Sequence, residues 1–199
     1  MQREFPLFQS HLDLAHTYWK RVLEKGGWAI DATCGNGQDT LQLARTLSLN
    51  QEKSGIIAID VQPEAIQATT TLIETSLNKE VRPPIHYFCQ SHVDFPELAD
   101  KQKILLIVYN LGYLPKGNKG LTTTTETTLK SVHQALELLS PGGVLSITCY
   151  PGHPEGAREE RALLEELAQL PPKMWSLCHH RFLNRTQSPS LLIIQNNSS

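Results

Sequence analysis

The sequence predicts a doubly wound, Rossmann-like α/β fold whose sheet is mostly parallel and closes with a C-terminal antiparallel hairpin. Short apolar runs alternate with longer segments of helical periodicity through most of the chain. Two of these runs end on a carboxylate, at Asp31 and at Asp60. The last two strand patterns are joined only by a polar loop, which is typical of antiparallel neighbours.

The elements follow in order from these patterns. Helices are predicted at 8–25, from Thr40, from Pro63, at 123–139 with a Thr123–Glu126 capping box, and from Pro154 to Pro171. Strands are predicted at 28–31, 55–60, 85–89, 104–109, 144–150, 174–183 and 189–195. We therefore expect one domain over 1–199, with an N-terminal helix at 8–25 and a core at 28–195.

Composition limits the classes of protein. The chain has 199 residues, a net charge of -2 and a mean hydropathy of -0.28, and no apolar run approaches the roughly 20 residues of a membrane span. The first residues lack a signal-peptide pattern, so we expect a cytoplasmic protein without a membrane partner. The four cysteines are scattered, which predicts reduced thiols, most of them in the core, and no metal site.

Charge is unevenly distributed along the chain. Residues 1–100 hold 8 Lys and Arg against 13 Asp and Glu, whereas residues 101–199 hold 10 against 7. The second half therefore permits a basic face for a phosphate backbone, although ordinary surface charge explains the asymmetry equally well.

The turn Gly35-Asn36-Gly37 follows the first strand and precedes a helix. Glycines allow close backbone approach, and a helix start presents unpaired N–H groups to a ligand. Thr40 replaces the third glycine of a dinucleotide motif, and Asp31 would repel a pyrophosphate. The pattern therefore favours a cationic ligand such as S-adenosylmethionine, the alternative being an ordinary βα turn.

Asp60 ends the second strand 23 positions after Gly37. A carboxylate at this position is suited to accept both ribose hydroxyls of an adenosine-containing cofactor. The alternative is a helix-capping aspartate before Pro63.

Polar residues also follow the later strands. Asn110, with Leu111, Gly112 and Tyr113, occupies the place where amino-group methyltransferases hold the target nitrogen. Asn110 is predicted to accept an N–H, and Tyr113 either to stack on a base or to shield the sulfonium. Gly112 either admits the ligand or serves a turn.

Two histidines are further candidates. His153 is a candidate proton acceptor or a structural loop residue. The pair Ser91-His92 either contacts the cofactor or caps the next segment.

Several motifs together resemble one family over about residues 8–195. They are Asp31 to Thr40, Asp60-Val-Gln62, Ser91-His92, Asn110 to Lys119, Thr127-Thr128, Tyr150 to Gly156 and Phe182-Leu-Asn184. The chain resembles the bacterial and plastid-type tRNA wobble-uridine aminomethyl methyltransferases, which have a class I methyltransferase fold. The resemblance implies S-adenosylmethionine-dependent N-methylation of 5-aminomethyl(-2-thio)uridine in the tRNA anticodon.

The predicted site has three groups of residues. The cofactor is expected to contact Asp31, Gly35, Asn36, Gly37, Gln38, Asp39, Asp60, Gln62, Ser91 and His92. Catalysis is assigned to Asn110, Tyr113 and His153. Substrate contacts are assigned to Leu111 and Gly112, and anticodon phosphate contacts to Lys116, Lys119, Arg181 and Arg185.

Other interpretations stay open from the sequence. The methyl acceptor is alternatively another RNA site, such as rRNA, or a small-molecule amine. A different class is a nucleotide-binding or RNA-binding module without catalysis. A homodimer through the N-terminal helix is a further possibility.

Overall fold

The computed structural model describes residues 10–48, 54–112, 124–185 and 187–198. The helices are α1 (His11–Val22), α2 (Gln38–Leu47), α3 (Pro63–Ser76), α4 (Thr125–Leu138) and α5 (Pro154–Leu167). The strands are β1 (Trp28–Asp31), β2 (Gly55–Asp60), β3 (Ile85–Cys89), β4 (Ile104–Asn110), β5 (Leu139–Cys149), β6 (Trp175–His180) and β7 (Ser190–Asn196).

The strands form one sheet in the order β3-β2-β1-β4-β5-β7-β6. The first five strands pair in parallel, whereas β7 is antiparallel to both β5 and β6. This confirms the predicted doubly wound sheet with its C-terminal hairpin. The strand order reverses direction between β1 and β4, and that switch point is where such sheets bind ligands.

The core lies on both faces of the sheet. One cluster joins α1 and α2 to the sheet through residues such as Trp19 and Leu43, and the other joins α4 and α5 through Val132 and Leu163. Strands that are covered on both faces are apolar over their buried length, as in residues 55–59 of β2, because those residues are removed from water. Each fully buried Leu or Ile contributes roughly 1.5–3 kcal/mol.

Helix α1 is anchored across the sheet by a buried hydrogen bond. The Trp19 indole N–H donates to Ser146 Oγ at 2.9 Å. The helix begins after Ser10, whose hydroxyl accepts the Asp13 N–H, so it is shorter than the predicted 8–25. It ends before Gly26 and Gly27, whose positive φ angles stop a helix.

Other predicted boundaries also shift: α2 begins at Gln38 rather than Thr40, and β6 is Trp175–His180 rather than 174–183. Two shifts have a clear local cause. The capping box of α4 pairs Thr124 with Thr127, one position later than predicted, because a run of threonines offers several equivalent caps. Strand β5 begins at Leu139 rather than Val144, since Ile104 pairs with Leu139 before a register shift. Strand β5 also ends at Cys149, one residue earlier than predicted, so Tyr150 lies just beyond it.

The four cysteines are all unpaired thiols. Cys34 and Cys149 are core residues, but Cys89 and Cys178 are exposed, so the prediction that most are buried holds for only two of them. Within the described ranges, no helix has the length and apolar character that a membrane span requires.

Candidate active site

A cavity of about 780 Å³ opens at the carboxyl ends of β1 and β4, within the size range of small-molecule sites. Its glycine-turn side is lined by Ala32, Thr33, Cys34, Gly35, Asn36, Gln38, Asp60, Val61, Gln62 and His92. Its Asn110 side is lined by Asp39, Asn110, Leu111, Gly112, Thr124, Thr125, Tyr150, His153, Glu155, Gly156, Arg158 and Glu159. The structure thus brings most of the predicted residues to one place.

The glycine turn is held tightly against α3. Gly37 has a φ of 80°, and a Cβ added there would lie 2.8 Å from the Thr69 Cα. The Thr69 hydroxyl donates to the Gly35 carbonyl at 3.1 Å. Gly37 itself is at the start of α2 and not in the cavity wall, so its contribution is the shape of the turn.

Asp60 links this turn to the second strand. Its Oδ2 accepts the Gly35 N–H at 2.9 Å, and its Oδ1 accepts the Gln62 N–H at 2.9 Å. Gln62, and not Asp60, is the N-cap of α3, so the capping alternative does not describe this aspartate. Each carboxylate oxygen has a second lone pair, which leaves Asp60 able to accept hydroxyl groups from the cavity.

Asp31 lies behind the turn. It is only 1% exposed, accepts the Thr40 hydroxyl at 2.5 Å and the Thr33 N–H at 3.3 Å, and does not line the cavity. Burial, with the nearby charge of Asp39, raises the pKa of the Asp31 carboxyl. The structure therefore places Asp31 as a support for the turn, and not against a cationic ligand as the sequence suggested.

The pair Ser91-His92 separates into two roles. Ser91 is exposed, lies outside the cavity wall, and accepts the Val93 N–H at 3.2 Å, which is the local cap weighed from the sequence. His92 lines the cavity and is 7% exposed, and burial lowers its pKa to about 4, so the ring is neutral. Its Nδ1 has no hydrogen-bond partner among the described residues.

Asn110 is fixed at the tip of β4 by both its backbone and its side chain. Its N–H donates to Thr33 Oγ1 at 2.8 Å, and its carbonyl accepts the Gly112 N–H at 2.9 Å. Its side-chain Nδ2 donates to Asp39 Oδ2 at 3.0 Å. Asp39, which the sequence assigned to the cofactor, therefore contacts Asn110, the residue assigned to hold the target amine.

Leu111 and Gly112 form the rim beside Asn110. Leu111 is buried, and its N–H donates to the Thr148 carbonyl at 3.0 Å, which continues the strand pairing. A Cβ on Gly112 would lie 3.3 Å from the Tyr150 ring, so glycine lets the aromatic ring lie close to this backbone. Burial raises the pKa of Tyr150, whose hydroxyl is therefore protonated at neutral pH.

His153 caps α5. Its Nδ1 accepts the Gly156 N–H at 3.1 Å and lies 3.5 Å from a Glu155 oxygen. An amide N–H can only donate, so the closer contact requires an unprotonated Nδ1, which places the proton of a neutral ring on Nε2. This geometry supports the structural alternative for His153 and leaves the neutral ring without a nitrogen suited to accept a proton from the substrate.

Of the remaining predicted residues, the structure describes only Arg181 and Arg185. Arg181 and Arg185 belong to the segment after β6, where the Arg185 guanidinium lies 4.5 Å from the Phe182 ring centroid. They do not line the cavity. Tyr113, Lys116 and Lys119 lie outside the described residues.

Sequence reasoning gave no separate role to several lining residues. Glu159 is buried, accepts the Thr128 hydroxyl at 2.6 Å, and has a pKa raised by burial. Tyr150 directly follows a parallel strand. Ligands bind beyond the carboxyl ends of such strands, and this rule, which selected Asn110, could also have selected Tyr150. Arg158 lines the cavity but lies on a helix among several other arginines and lysines, so nothing in the sequence distinguishes it from a surface residue.

The fold and this cavity define a class I S-adenosylmethionine-dependent methyltransferase. A crystal structure of a “putative methyltransferase” from Streptococcus mutans, in complex with SAH (S-adenosylhomocysteine), superposes with a TM-score of 0.78. That protein is 29% identical, and the match covers 96% of this chain and 99% of that one. The chain belongs to the family described as “Putative rRNA methylase”, whose model matches residues 56–196.

Two further relatives agree with this membership. A Clostridium thermocellum protein with the same description as the family is 31% identical with a TM-score of 0.83, over 96% of this chain and 100% of that one. An Arabidopsis thaliana protein named “tRNA (mnm(5)s(2)U34)-methyltransferase, chloroplastic” is 35% identical over 186 residues, which are 92% of this chain and 68% of that protein.

The glycine-turn side fits the cofactor chemically. Asp60 offers free lone pairs to hydroxyl groups, Gln62 and Gln38 offer amide groups, and His92 presents a buried nitrogen without a partner among the described residues. Such donors and acceptors match a ribose and a purine. The predicted S-adenosylmethionine cofactor is thus consistent with the wall and with the family.

Proposed function

We propose that this protein methylates the amine of 5-aminomethyl(-2-thio)uridine at the wobble position of a tRNA anticodon, giving the 5-methylaminomethyl product. The observation that carries the proposal is the fixed Asn110 side chain at the β4 tip, inside a cavity whose opposite side fits the cofactor. The name of the Arabidopsis relative supports the choice of tRNA.

The chemistry requires positioning more than activation. S-adenosylmethionine supplies a methyl group on a positively charged sulfur, which is already a good leaving group. The amine lone pair forms the new N–C bond while the C–S electron pair stays on sulfur, and the amine loses one proton. We assign Asn110 Oδ1 to accept an amine N–H and so aim the lone pair at the methyl carbon.

The charge of the Asn110 side suits an amine. An aliphatic amine is mostly protonated at neutral pH, so it arrives as a cation. Glu155 and Glu159 line this side and attract that cation. The proton then leaves to a carboxylate or to water, since the Nδ1 of His153 is engaged by the Gly156 N–H.

Five basic residues are assigned to the RNA backbone. Arg158 lines the cavity, and we add it to the predicted contacts Lys116, Lys119, Arg181 and Arg185. Arg181 follows β6, which runs parallel to β5, so it emerges at the same edge of the sheet as the cavity. These residues offer Arg and Lys groups to phosphates without reading the bases.

Nucleoside mass spectrometry tests the reaction directly. The protein is incubated with S-adenosylmethionine and tRNA from cells that lack the endogenous activity, and the digested nucleosides are analysed. We expect one added methyl group on 5-aminomethyl(-2-thio)uridine. Normal cofactor binding with no gain of methyl on this nucleoside would overturn the substrate assignment.

Three matched substrates separate the alternatives. A stem-loop with unmodified wobble uridine should give no product, because it lacks the amine. The free 5-aminomethyluridine nucleoside tests a small-molecule acceptor, and rRNA tests the acceptor suggested by the family description. Faster methylation of either than of tRNA would favour that alternative.

Charge reversal tests the RNA contacts. Arg158→Glu and Arg185→Glu should each weaken tRNA binding and lower its salt slope by about 1, with S-adenosylhomocysteine affinity unchanged. Arg45→Glu is the control, because Arg45 is exposed in the last turn of α2, where the helix has run back toward the amino edge of the sheet. Equal tRNA affinity for all three variants would contradict the assignment.

Two predictions about the protein's surroundings are not needed for this proposal. The cytoplasmic location and the homodimer remain predictions, which cell fractionation and analytical ultracentrifugation can test. The named Arabidopsis relative is described as chloroplastic.

A further inference from the structure

Asp39 contacts two different elements from the start of α2. Its Oδ2 lies 3.0 Å from Asn110 Nδ2 at the end of β4, and its Oδ1 lies 3.6 Å from His16 Nε2 on α1. The Asp39 side chain is only 13% exposed, so these contacts are largely shielded from water. The aspartate that the sequence assigned to the cofactor is therefore directed at the opposite side of the cavity.

This contact decides which end of the Asn110 amide faces Asp39. A carboxylate has only acceptor lone pairs, so it selects the amide nitrogen of its partner. The amide oxygen then remains as the acceptor for an incoming N–H. Without Asp39, the amide can rotate by a half turn and present its N–H groups to the amine. The amide N–H and the amine N–H are both donors, so no hydrogen bond would form between them.

We propose that Asp39 is the positioning residue that fixes the Asn110 amide with its oxygen available to the target amine. The inference rests on the proposed N-methylation, in which Asn110 accepts the amine N–H. The backbone of Asn110 is already held by Thr33. The Asn110 side chain is hydrogen-bonded to both Asp39 and Tyr150. The Tyr150 hydroxyl can donate or accept and so does not select one end of the amide, whereas the Asp39 carboxylate can only accept and selects the amide nitrogen. The gain is preorganisation of an acceptor before the substrate binds.

Helix α1 completes this arrangement from the other side. The His16 ring lies 4.8 Å from the Trp19 ring, and Trp19 is hydrogen-bonded to Ser146 on β5. His16 thus lies beside a buried residue, and its Nε2 approaches the second oxygen of Asp39 to 3.6 Å without a hydrogen bond. The N-terminal helix therefore packs next to Asp39 but does not line the cavity.

A double-mutant cycle tests this role. Asp39→Ala and Asn110→Ala should each lower kcat by about 30-fold or more, because each removes the oriented acceptor. The double variant should be no slower than Asn110→Ala alone, since Asp39 acts only through Asn110. S-adenosylhomocysteine affinity should change by less than about threefold in Asp39→Ala, whereas a cofactor contact would give a larger loss.

Conservative and remote substitutions provide the controls. Asp39→Asn keeps an acceptor oxygen for the Asn110 amide and should retain more activity than Asp39→Ala. Asp100→Ala removes an exposed carboxylate from the turn before β4 and should leave kcat unchanged. Multiplicative losses in the double variant, or a cofactor affinity lowered by tenfold or more in Asp39→Ala, would overturn the proposal.

A measurement without substrate separates this inference from the proposed function. The side-chain amide signal of Asn110 in a ¹⁵N-edited NMR spectrum, assigned by its loss in Asn110→Ala, should move in Asp39→Ala and stay in Asp100→Ala. An unmoved signal in Asp39→Ala would overturn the positioning role. Absence of tRNA methylation by the wild-type protein would instead overturn the proposed function, and the NMR result would still test the contact between Asp39 and the Asn110 amide.

Discussion

The two sides of the cavity differ in how far apart their residues lie in the sequence. The glycine-turn side takes most of its wall from residues 32–38 and 60–62, and backbone N–H groups make its main contacts. The Asn110 side joins side chains from α2, the tip of β4 and the start of α5. A ligand site made of local turns is set by backbone geometry, whereas one made of distant side chains depends on how the elements pack.

This difference has a consequence for substitution. Changes on the glycine-turn side should alter stability and cofactor binding together, because the same backbone serves both. Changes on the Asn110 side should alter turnover while the cofactor still binds. The following experiments test that contrast, from the largest expected effect to the smallest.

Gly37→Ala should be the most damaging substitution. It places a side chain at a φ of 80° and a Cβ 2.8 Å from the Thr69 Cα, so strain and overlap add. We expect a loss of about 3 kcal/mol in the free energy of unfolding, measured by urea denaturation.

Gly142→Ala is the matched control for Gly37→Ala. Gly142 has a similar φ of 77°, but nothing lies within 4 Å of an added Cβ. Gly142→Ala should therefore lower the free energy of unfolding by only about 1 kcal/mol, which is the cost of placing alanine at a positive φ. Equal losses in the two variants would show that close packing against α3 does not matter at the turn.

Asp60→Asn should weaken cofactor binding about 100-fold, because charged acceptors for hydroxyl and amide groups are worth a few kcal/mol. Isothermal titration with S-adenosylhomocysteine measures this loss. Glu64→Gln is the control, since Glu64 is an exposed carboxylate in the first turn of α3. Full affinity in Asp60→Asn would remove the main polar contact assigned to the glycine-turn side.

His92 gives the glycine-turn side a measurable pH dependence. Its pKa is about 4 in the folded protein and about 6.5 when unfolded, so the unfolded chain takes up the proton first as the pH falls. Its contribution is therefore constant above about pH 6.5 and is progressively lost between about pH 6.5 and pH 4. The pKa of Asp31 is raised, so the folded protein takes up this proton first and Asp31 adds stability as the pH falls. Comparing the wild type with a His92 variant removes this opposing contribution.

The comparison uses the wild type and His92→Gln in urea denaturation at pH 7.5 and pH 5.5. The wild type should lose about 1 kcal/mol more than the variant over this interval. An identical loss would mean that the His92 ring is protonated in the folded state, which its burial opposes.

Substitution of His153, at the start of α5, should have the smallest effect on kcat among the residues of the Asn110 side. His153→Ala should cost about 1 kcal/mol of stability through loss of the α5 cap. His153→Asn supplies another good cap and should restore both stability and kcat to within about threefold of the wild type. A stable but inactive His153→Asn would restore the proton-acceptor role that the cap geometry argues against.

The N-terminal helix illustrates what periodicity leaves out. The apolar spacing of Ala15 and Trp19 predicts a covering helix, and the structure confirms both as buried. His16 lies between them in sequence and carries no pattern of its own. Its position 3.6 Å from Asp39 depends on the Trp19–Ser146 hydrogen bond, which joins residues 127 positions apart.

The glycine turn shows why other features were predictable. The apolar run, the carboxylate and the two glycines of residues 28–40 are adjacent in sequence, and a strand–turn–helix is a local structure. The sequence by itself therefore determined the parallel strands, the cavity edge, the Asp60 position and the family resemblance. Their causes are side-chain periodicity and backbone φ preferences, which act over a few residues.

Only the tertiary structure decided the direction of individual side chains. It turned Asp31 behind the turn toward Thr40, paired Asp39 with Asn110, and used His153 as a helix cap. A carboxylate or imidazole has several partners within reach of its backbone position, and the nearest buried donor is selected only when the sheet and helices have packed. Long-range packing therefore set the chemistry of the Asn110 side.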